Sequence, residues 1–233
     1  MSYAETYYLR RSNAARADSK VEWFLANYAH LLPADKQARI CEIGPGMGHI
    51  LSFLVNDAQY PRSVGLEVDR DLSRIANEKA PGHCLHVESV VQHLEASTEA
   101  LDLVIMLHVL EHIDPEPALE LLRALEARLG PSGVLIVEVP NAAHPLTGSA
   151  TLHADFTHRR GYTNTSLDQV LAMAGFESRQ TGAVRAPGGS ALRWVQAAMQ
   201  RLLDGAITLA MRIYFPSDPP VVSVAIYGIG RKA

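Results

Sequence analysis

One segment organises the sequence: Ile40-Cys41-Glu42-Ile43-Gly44-Pro45-Gly46-Met47-Gly48-His49-Ile50-Leu51. An apolar strand runs into three glycines at alternating positions, and an amphipathic helix follows directly. Glycines here allow positive φ angles and let a ligand lie against bare backbone, and the start of the helix offers unpaired N–H groups. The segment therefore predicts a ligand-binding turn between a buried strand and a helix.

Such a turn can bind the diphosphate of a dinucleotide or a cationic ligand, and the flanking residues indicate which of the two is favoured. A dinucleotide site has the pattern G-x-G-x-x-G, with its third glycine one place later than Gly48. This chain has His49 at that place, and Glu42 lies two residues before Gly44. A carboxylate beside the turn suits a cationic ligand better than a diphosphate.

The rest of the chain alternates between strand and helix patterns. Apolar runs at 63–68, 84–88, 101–107 and 134–139 predict further strands, and 129–133 reads as a loop that ends a helix. Near-continuous apolar runs are typical of parallel strands buried on both faces. The repeated strand–loop–helix order predicts a doubly wound parallel α/β sheet, which two later strands, near 176–184 and 221–229, would complete.

The pattern Glu-x-Gly-x-Gly-x-Gly resembles the first motif of the class I S-adenosylmethionine (SAM) dependent methyltransferases. The segments 101–105, 109–113 and 129–136 match further motifs of that family in register, so the resemblance covers residues 38–140. It implies a Rossmann-like seven-stranded sheet of order 3-2-1-4-5-7-6 with strand 7 antiparallel. It also implies SAM as cofactor and S-adenosylhomocysteine as product.

The resemblance further implies which residues contact the cofactor. Glu67 ends the second strand about twenty residues after the loop, where a carboxylate accepts the ribose hydroxyls. Glu88 and Ser89 occupy the position that contacts adenine in the family. The complete implied set is Glu42, Gly44, Gly46, Gly48, Glu67, Val68, Glu88, Ser89, Leu107 and His108.

A long loop at 141–164 follows the fifth strand, at the sheet edge where such folds bind ligands. Its pattern Asp155-Phe156-Thr157-His158 with Tyr162 resembles methyltransferases associated with polysaccharide assembly, which implies methylation of a sugar hydroxyl. Removing the hydroxyl proton calls for a base, and the candidates are His112, His158 and Asp155. Acceptor binding is predicted for His144, His153, Arg159, Arg160 and Tyr162, although each histidine could equally be structural.

Other functions remain open or are disfavoured. A quinone or a natural-product phenol is the alternative acceptor, and a SAM-binding scaffold without turnover is the alternative outside enzymes. The chain lacks the Asn/Asp-Pro-Pro-Tyr and Pro-Cys motifs of base methyltransferases and has no basic, aromatic stripe, so a nucleic-acid partner is not expected. No metal site is predicted, because His153, Asp155 and His158 match no standard ligand spacing.

The sequence predicts a single domain over 1–233, since 48% of the residues are hydrophobic and can form a sizeable core. An N-terminal helical arm is predicted at 1–35. A segment at 190–215 predicts an amphipathic helix that packs on the domain, joins a homodimer, or lies on a membrane carrying a lipid-linked substrate. Its charges argue against a transmembrane segment.

Charge and cysteine content add two weaker indications. Residues 1–155 hold 12 basic and 21 acidic side chains, whereas 156–233 hold 9 and 4. This asymmetry suits an anionic acceptor or surface, or simply scattered arginines. Cys41 and Cys84 fall in buried strands, and the first residues lack the apolar segment of a secretory signal, so a cytoplasmic location is expected.

Overall fold

The structure is a computed structural model that describes residues 14–187, 191–217 and 219–232. Residues 1–13 of the N-terminal arm predicted at 1–35 lie outside the described residues, and the helix of the arm lies within them. The helices are α1 (Ala14–Tyr28), α2 (His49–Ser52), α3 (Arg70–Lys79), α4 (Val90–Ala96), α5 (Pro115–Arg128), α6 (Gly148–His153), α7 (Asn164–Ala174) and α8 (Ala191–Tyr214). The strands are β1 (Ile40–Ile43), β2 (Val64–Glu67), β3 (Cys84–His86), β4 (Leu101–Leu107), β5 (Leu129–Pro140), β6 (Ser178–Ala183) and β7 (Ala225–Arg231).

These strands form one sheet of order β3-β2-β1-β4-β5-β7-β6. The pairs from β3 through β5 are parallel, whereas β7 runs antiparallel to both β5 and β6. The topology predicted from the resemblance is therefore confirmed. Parallel strands end at a common edge of the sheet, so the loops after β1, β2, β4 and β5 meet there.

Helices cover both faces of the sheet and divide its core into two layers. Cys41 and Ile43 of β1 pack into the larger cluster, which includes the buried faces of α5 and α7. Ile40 packs on the opposite side against Phe24 and Tyr28 of α1. This alternation is the two-residue period of a strand buried on both faces, and it explains the continuous apolar runs in the sequence.

Strand β5 begins earlier than the sequence predicts. The glycine–proline segment 129–133 was expected to be a loop, but Leu129 already pairs with Leu101 of β4. The register shifts before Leu103 pairs with Val134, so the intervening residues form a bulge in the strand. The glycine and proline residues do interrupt the regular pairing of the strand. Because the segment pairs with β4, the interruption is a bulge inside the sheet and not a loop.

The predicted loop at 141–164 contains a short helix, α6, and is anchored at its start. The Asn141 side chain is fully buried and donates to the carbonyl oxygens of Val221 (2.7 Å) and Ser223 (2.9 Å). The Ala142 N–H donates to the Tyr162 carbonyl oxygen (2.8 Å). The two ends of the loop are therefore held together at the carboxyl edge of the sheet.

Helix α8 is amphipathic, as the sequence predicts, but its apolar side chains remain largely exposed. Leu202, Leu209 and Ile213 are 76%, 71% and 80% exposed, and the charged Asp204 lies 3.5 Å from His144. Within the described residues, no helix is long and apolar enough to cross a lipid bilayer.

Candidate functional site

The loop after β1 adopts the left-handed turn that its glycines allow. Gly44, Gly46 and Gly48 have φ angles of 63°, 56° and 71°, a region that L-residues with a side chain rarely occupy. A Cβ atom on Gly44 would lie 2.7 Å from Val109 Cγ2. The loop thus needs glycine both for its backbone conformation and for its close approach to the segment after β4.

Glu67, at the end of β2, holds this loop in place. Its carboxylate accepts hydrogen bonds from the Gly46 N–H and the Asp69 N–H, both at 3.0 Å. The side chain is 5% exposed, and burial raises its pKa despite these two bonds. Glu67 therefore fixes the loop geometry while it also faces the adjoining cavity.

A cavity of about 730 Å³ opens at the carboxyl ends of β1, β2 and β4. Its size falls within the usual range of small-molecule and cofactor sites. Seven residues predicted from the sequence line it: Gly44, Glu67, Val68, Glu88, Ser89, His108 and His112. The other lining residues are mainly apolar, among them Leu66, Leu72, Val90, Val109, Ile113 and Leu121.

Four of the residues implied to contact the cofactor do not line this cavity: Glu42, Gly46, Gly48 and Leu107. Gly46 acts through its N–H, which binds Glu67. Gly48 instead lets the backbones of α2 and α3 approach, because a Cβ atom there would lie 2.7 Å from Ala76 Cα. Leu107 packs with the α1-facing cluster.

Glu42 shares the α1-facing side of β1 with Ile40, since side chains alternate along the strand. It is 5% exposed, and its Oε2 atom has no hydrogen-bond partner in the described ranges. Burial raises its pKa to about 8, although the Lys20 ammonium group on α1 opposes that shift. A further positive charge beside Glu42 would favour its ionised form.

A hydrogen-bond chain orients His112 at the cavity. The Thr157 hydroxyl donates to Asp155 Oδ1 (2.7 Å), and the Thr157 N–H donates to the same oxygen (2.9 Å). His112 Nδ1 lies 2.8 Å from Thr157 Oγ1. Because the hydroxyl proton points to Asp155, Nδ1 of His112 is the donor and Nε2 carries the lone pair. Burial lowers the pKa of His112, which favours the neutral imidazole.

His158 lies beside His112, with ring centroids 4.7 Å apart. Its Nδ1 atom is 2.9 Å from the Leu152 carbonyl oxygen, so Nδ1 is the donor and Nε2 carries the lone pair. The N–H groups of Arg159 and Arg160 donate to the Glu111 carbonyl oxygen (2.8 and 3.2 Å). These bonds fasten the 155–160 turn to the residues before His112 and bring both imidazoles to one place.

His108 has a left-handed backbone, with a φ angle of 56°, and bridges two buried carboxylates. Its Nδ1 atom lies 3.3 Å from Glu111 Oε1, and its Nε2 atom lies 3.1 Å from Glu138 Oε1. Burial opposes the charged imidazole, but the two carboxylates outweigh this and raise the pKa of His108. His108 is therefore a cation at the rim of the cavity.

Glu138 connects this cation to helix α1. Its carboxylate is 1% exposed and accepts hydrogen bonds from Trp23 Nε1 (3.1 Å) and the Tyr28 hydroxyl (2.5 Å). Glu111, Glu138 and Thr157 had no role predicted from the sequence. Only Glu138 gave a local signal, because a carboxylate within an apolar strand is unusual unless it has partners.

The residues predicted to bind the acceptor are scattered in the structure, and none lines the cavity. His144 is buried, and its Nδ1 accepts the Leu146 and Thr147 N–H groups at 3.2 Å. Tyr162 is 2% exposed and belongs to the larger core cluster. The remaining three are exposed: His153, Arg159 and Arg160. The predicted bases Asp155 and His158 also stand behind the cavity wall, next to Thr157 and His112.

The residues present fit the cofactor that the resemblance implies. The glycine loop leaves open backbone at Gly44, Glu67 and Glu88 offer acceptor oxygens, and Leu72, Val90 and Leu121 supply apolar walls. Ser89 caps α4 by accepting the Gln92 N–H (3.3 Å). An apolar cavity with a few convergent polar groups is the usual form of a cofactor site.

Comparisons with known proteins agree with this geometry. A family model described as a methyltransferase domain matches residues 14–181. Among curated proteins, the chain is similar to the trans-aconitate 2-methyltransferase of Rhodopseudomonas palustris (strain BisB18), with 30% identity over 110 residues. That alignment covers 47% of this chain and 41% of the relative, so it spans less than half of each.

Two solved structures share the fold. A SAM-dependent methyltransferase from Archaeoglobus fulgidus superposes with a TM-score of 0.69 at 18% identity, covering 97% of this chain and 100% of that one. One from Thermotoga maritima has a TM-score of 0.63 at 18% identity, covering 94% and 90% of the respective chains. At these identities the likeness supports the fold alone.

Proposed function

This chain belongs to the class I SAM-dependent methyltransferases, and we propose that it methylates a hydroxyl group of a small-molecule acceptor. SAM supplies an activated methyl group in the cavity. The acceptor oxygen forms a bond to the methyl carbon as the sulfur–carbon bond breaks, and the hydroxyl proton must leave. The protein therefore has to position the acceptor and assist the loss of that proton.

One observation carries the proposal: an oriented, neutral imidazole lines the cofactor cavity. Thr157 and Asp155 fix Nδ1 of His112 as the donor, so a proton would be accepted at Nε2. His112 lines the same cavity as Gly44 and Glu67. A methyltransferase acting on a neutral amine needs no base of this kind before transfer. An oriented imidazole that lines the cavity, with a second imidazole beside it, therefore favours a hydroxyl acceptor.

The acceptor class that we propose is a sugar or a saccharide intermediate. This proposal rests on the resemblance of the pattern around Asp155, Thr157 and His158 to methyltransferases associated with polysaccharide assembly. Thr157 and His158 contact His112, and Asp155 binds Thr157. The exposed Arg159 and Arg160 side chains follow directly and could hold an anionic group such as a phosphate or a uronic acid. A quinone or phenol acceptor is the alternative that the same experiment tests.

The test is a product analysis with methyl-labelled SAM against three matched panels: nucleotide sugars and uronic acids, phenols, and amines. Mass spectrometry detects the methylated product, and NMR identifies the methylated atom. We expect methylation of a hydroxyl oxygen, with the sugar panel giving the highest turnover. Methylation of nitrogen, or no turnover with any panel while S-adenosylhomocysteine binds, would overturn the proposal.

With an acceptor in hand, His112→Ala is expected to lower kcat by about 10²–10⁴-fold, because the assistance to proton loss is removed. The affinity for S-adenosylhomocysteine, measured by calorimetry, should change little. His30→Ala is the matched control, since His30 is an exposed histidine after α1. A loss of only a few-fold in both His112→Ala and His158→Ala would contradict a role for the imidazoles.

A further inference from the structure

Three side chains of metal-binding type meet at the edge of the cofactor cavity. Glu111 and His112 follow β4, and His158 comes from the loop before α7. One ligand atom from each lies within 4.8 Å of the others. A single ion placed among them could contact all three, although His158 is far from the other two in the sequence.

Both histidines are oriented in the way that metal-binding histidines usually are. A metal-binding imidazole commonly donates its second N–H to a carbonyl or carboxylate group, which fixes the ring and its tautomer. His158 donates from Nδ1 to the Leu152 carbonyl oxygen (2.9 Å). His112 donates from Nδ1 to Thr157, which in turn is bound to Asp155. Because Nδ1 of each ring is engaged in this way, an ion would meet the rings at Nε2.

Glu111 provides an independent observation. It is 2% exposed, and neither carboxylate oxygen has a hydrogen-bond partner within the described part of the chain. Its ion-pair partner is His108, whose Nδ1 lies 3.3 Å from Oε1, and Glu111 shares this partner with Glu138. Glu138, equally buried, is satisfied by Trp23, Tyr28 and His108. A buried carboxylate left in this state is costly unless a cation compensates it.

The local charge also favours a cation. The two buried carboxylates of Glu111 and Glu138 face one imidazolium, His108. Two buried carboxylates thus share one imidazole, and a divalent ion among Glu111, His112 and His158 would lie beside the one that has no hydrogen-bond partner among the described residues, Glu111.

We infer that Glu111, His112 and His158 bind a divalent first-row transition-metal ion at the edge of the cofactor cavity. Two imidazoles and one carboxylate suit ions such as Zn²⁺, Mn²⁺ or Fe²⁺. Three protein ligands leave at least one position open, as in catalytic metal sites. No metal site was predicted from the sequence, because His153, Asp155 and His158 match no standard ligand spacing. The fold instead brings His158 next to Glu111 and His112.

This inference deepens the proposed function. The role of the ion rests on the proposed function, whereas the binding of the ion does not. An acceptor hydroxyl in the open position would be more acidic, because a bound metal lowers the pKa of a coordinated hydroxyl group or water. With an ion bound, His112 would be a ligand instead of the proton acceptor, and the proton would pass to water as the oxygen–methyl bond forms and the sulfur–methyl bond breaks.

The test is a Mn²⁺ titration followed by electron paramagnetic resonance, on full-length protein first dialysed against a chelator. We expect the signal of hydrated Mn²⁺ to disappear until one ion is bound per chain. Zn²⁺ should displace it, because Zn²⁺ binds such donor sets more tightly. Glu111→Gln and His158→Ala should each weaken binding by at least about tenfold, and His30→Ala should not.

Calorimetry with S-adenosylhomocysteine shows whether each variant is folded, independently of the ion. No binding of Mn²⁺ or Zn²⁺ at millimolar concentration, or equal affinity in wild type and both variants, would overturn the inference. If the chelated protein methylates a hydroxyl at full rate and binds no ion, the metal inference fails and the proposed function stands. If the ion binds but only nitrogen is methylated, the proposed function fails and the metal inference stands.

Discussion

At the scale of single residues, Glu42 links the stability of the protein to pH. Burial raises its pKa to about 8 from the usual 4.5, against the opposing charge of Lys20 and with the help of Glu67. Between these two values the folded chain holds a proton that the unfolded chain has lost. The free energy of unfolding should therefore fall as the pH rises through this window.

We expect the ligand-free wild type to lose about 3 kcal/mol more stability than Glu42→Gln between about pH 5 and pH 8, since one unit of pKa corresponds to about 1.4 kcal/mol. Urea denaturation at several pH values measures this difference. Glu78→Gln is the control, because Glu78 is an exposed carboxylate paired with Arg74. Parallel curves for wild type and Glu42→Gln would show that Glu42 ionises normally.

At the scale of elements, the contact between α2 and α3 depends on one glycine. Gly48 has a φ angle of 71°, and a Cβ atom there would meet Ala76 Cα at 2.7 Å, which is backbone and cannot move aside. Gly82 offers a matched comparison, because its φ angle is 81° but nothing lies within 4 Å. The two positions share the backbone strain and differ in crowding.

Gly82→Ala is expected to cost about 1 kcal/mol of stability from left-handed strain alone, whereas Gly48→Ala should cost about 2–4 kcal/mol because overpacking is added. Urea denaturation of the two variants measures both. S-adenosylhomocysteine affinity should fall only for Gly48→Ala, since the glycine loop moves with α2. Equal losses of stability would mean that α2 and α3 separate freely.

At the scale of the whole molecule, the core lies in the sheet and its covering helices, and α8 contributes little to it. Leu171 of α7 is fully buried in the larger cluster, while Leu202 of α8 is 76% exposed. Leu171→Ala should therefore cost about 2–5 kcal/mol of stability. Leu202→Ala should stay within about 0.5 kcal/mol.

Thermal or urea denaturation at two protein concentrations checks this pair. A large loss in Leu202→Ala that depends on concentration would contradict the expectation, and it would show that a second copy covers the α8 face. The dependence on concentration matters because association adds to apparent stability by mass action.

Much of the fold was predictable from the sequence, because its signals are local. The apolar runs specified buried parallel strands, and the alternating glycines specified a turn with positive φ angles. The helix predicted at 190–215 is found as Ala191–Tyr214. Glu67, Glu88 and Ser89 were predicted to contact the cofactor from the resemblance and from their places at strand ends. All three line the cavity, and their contact with the cofactor stays a prediction.

What only the tertiary structure decided are the contacts between distant segments. Thr157 and His158 reach His112 across more than forty residues, and Trp23 reaches Glu138 across 115. Periodicity and spacing report which face of an element is buried, but they do not report which loops meet at the edge of a sheet. The sequence by itself therefore determined the family, the sheet and the cofactor, whereas folding decided that Glu111, His112 and His158 lie close together and that Tyr162 lies in the core.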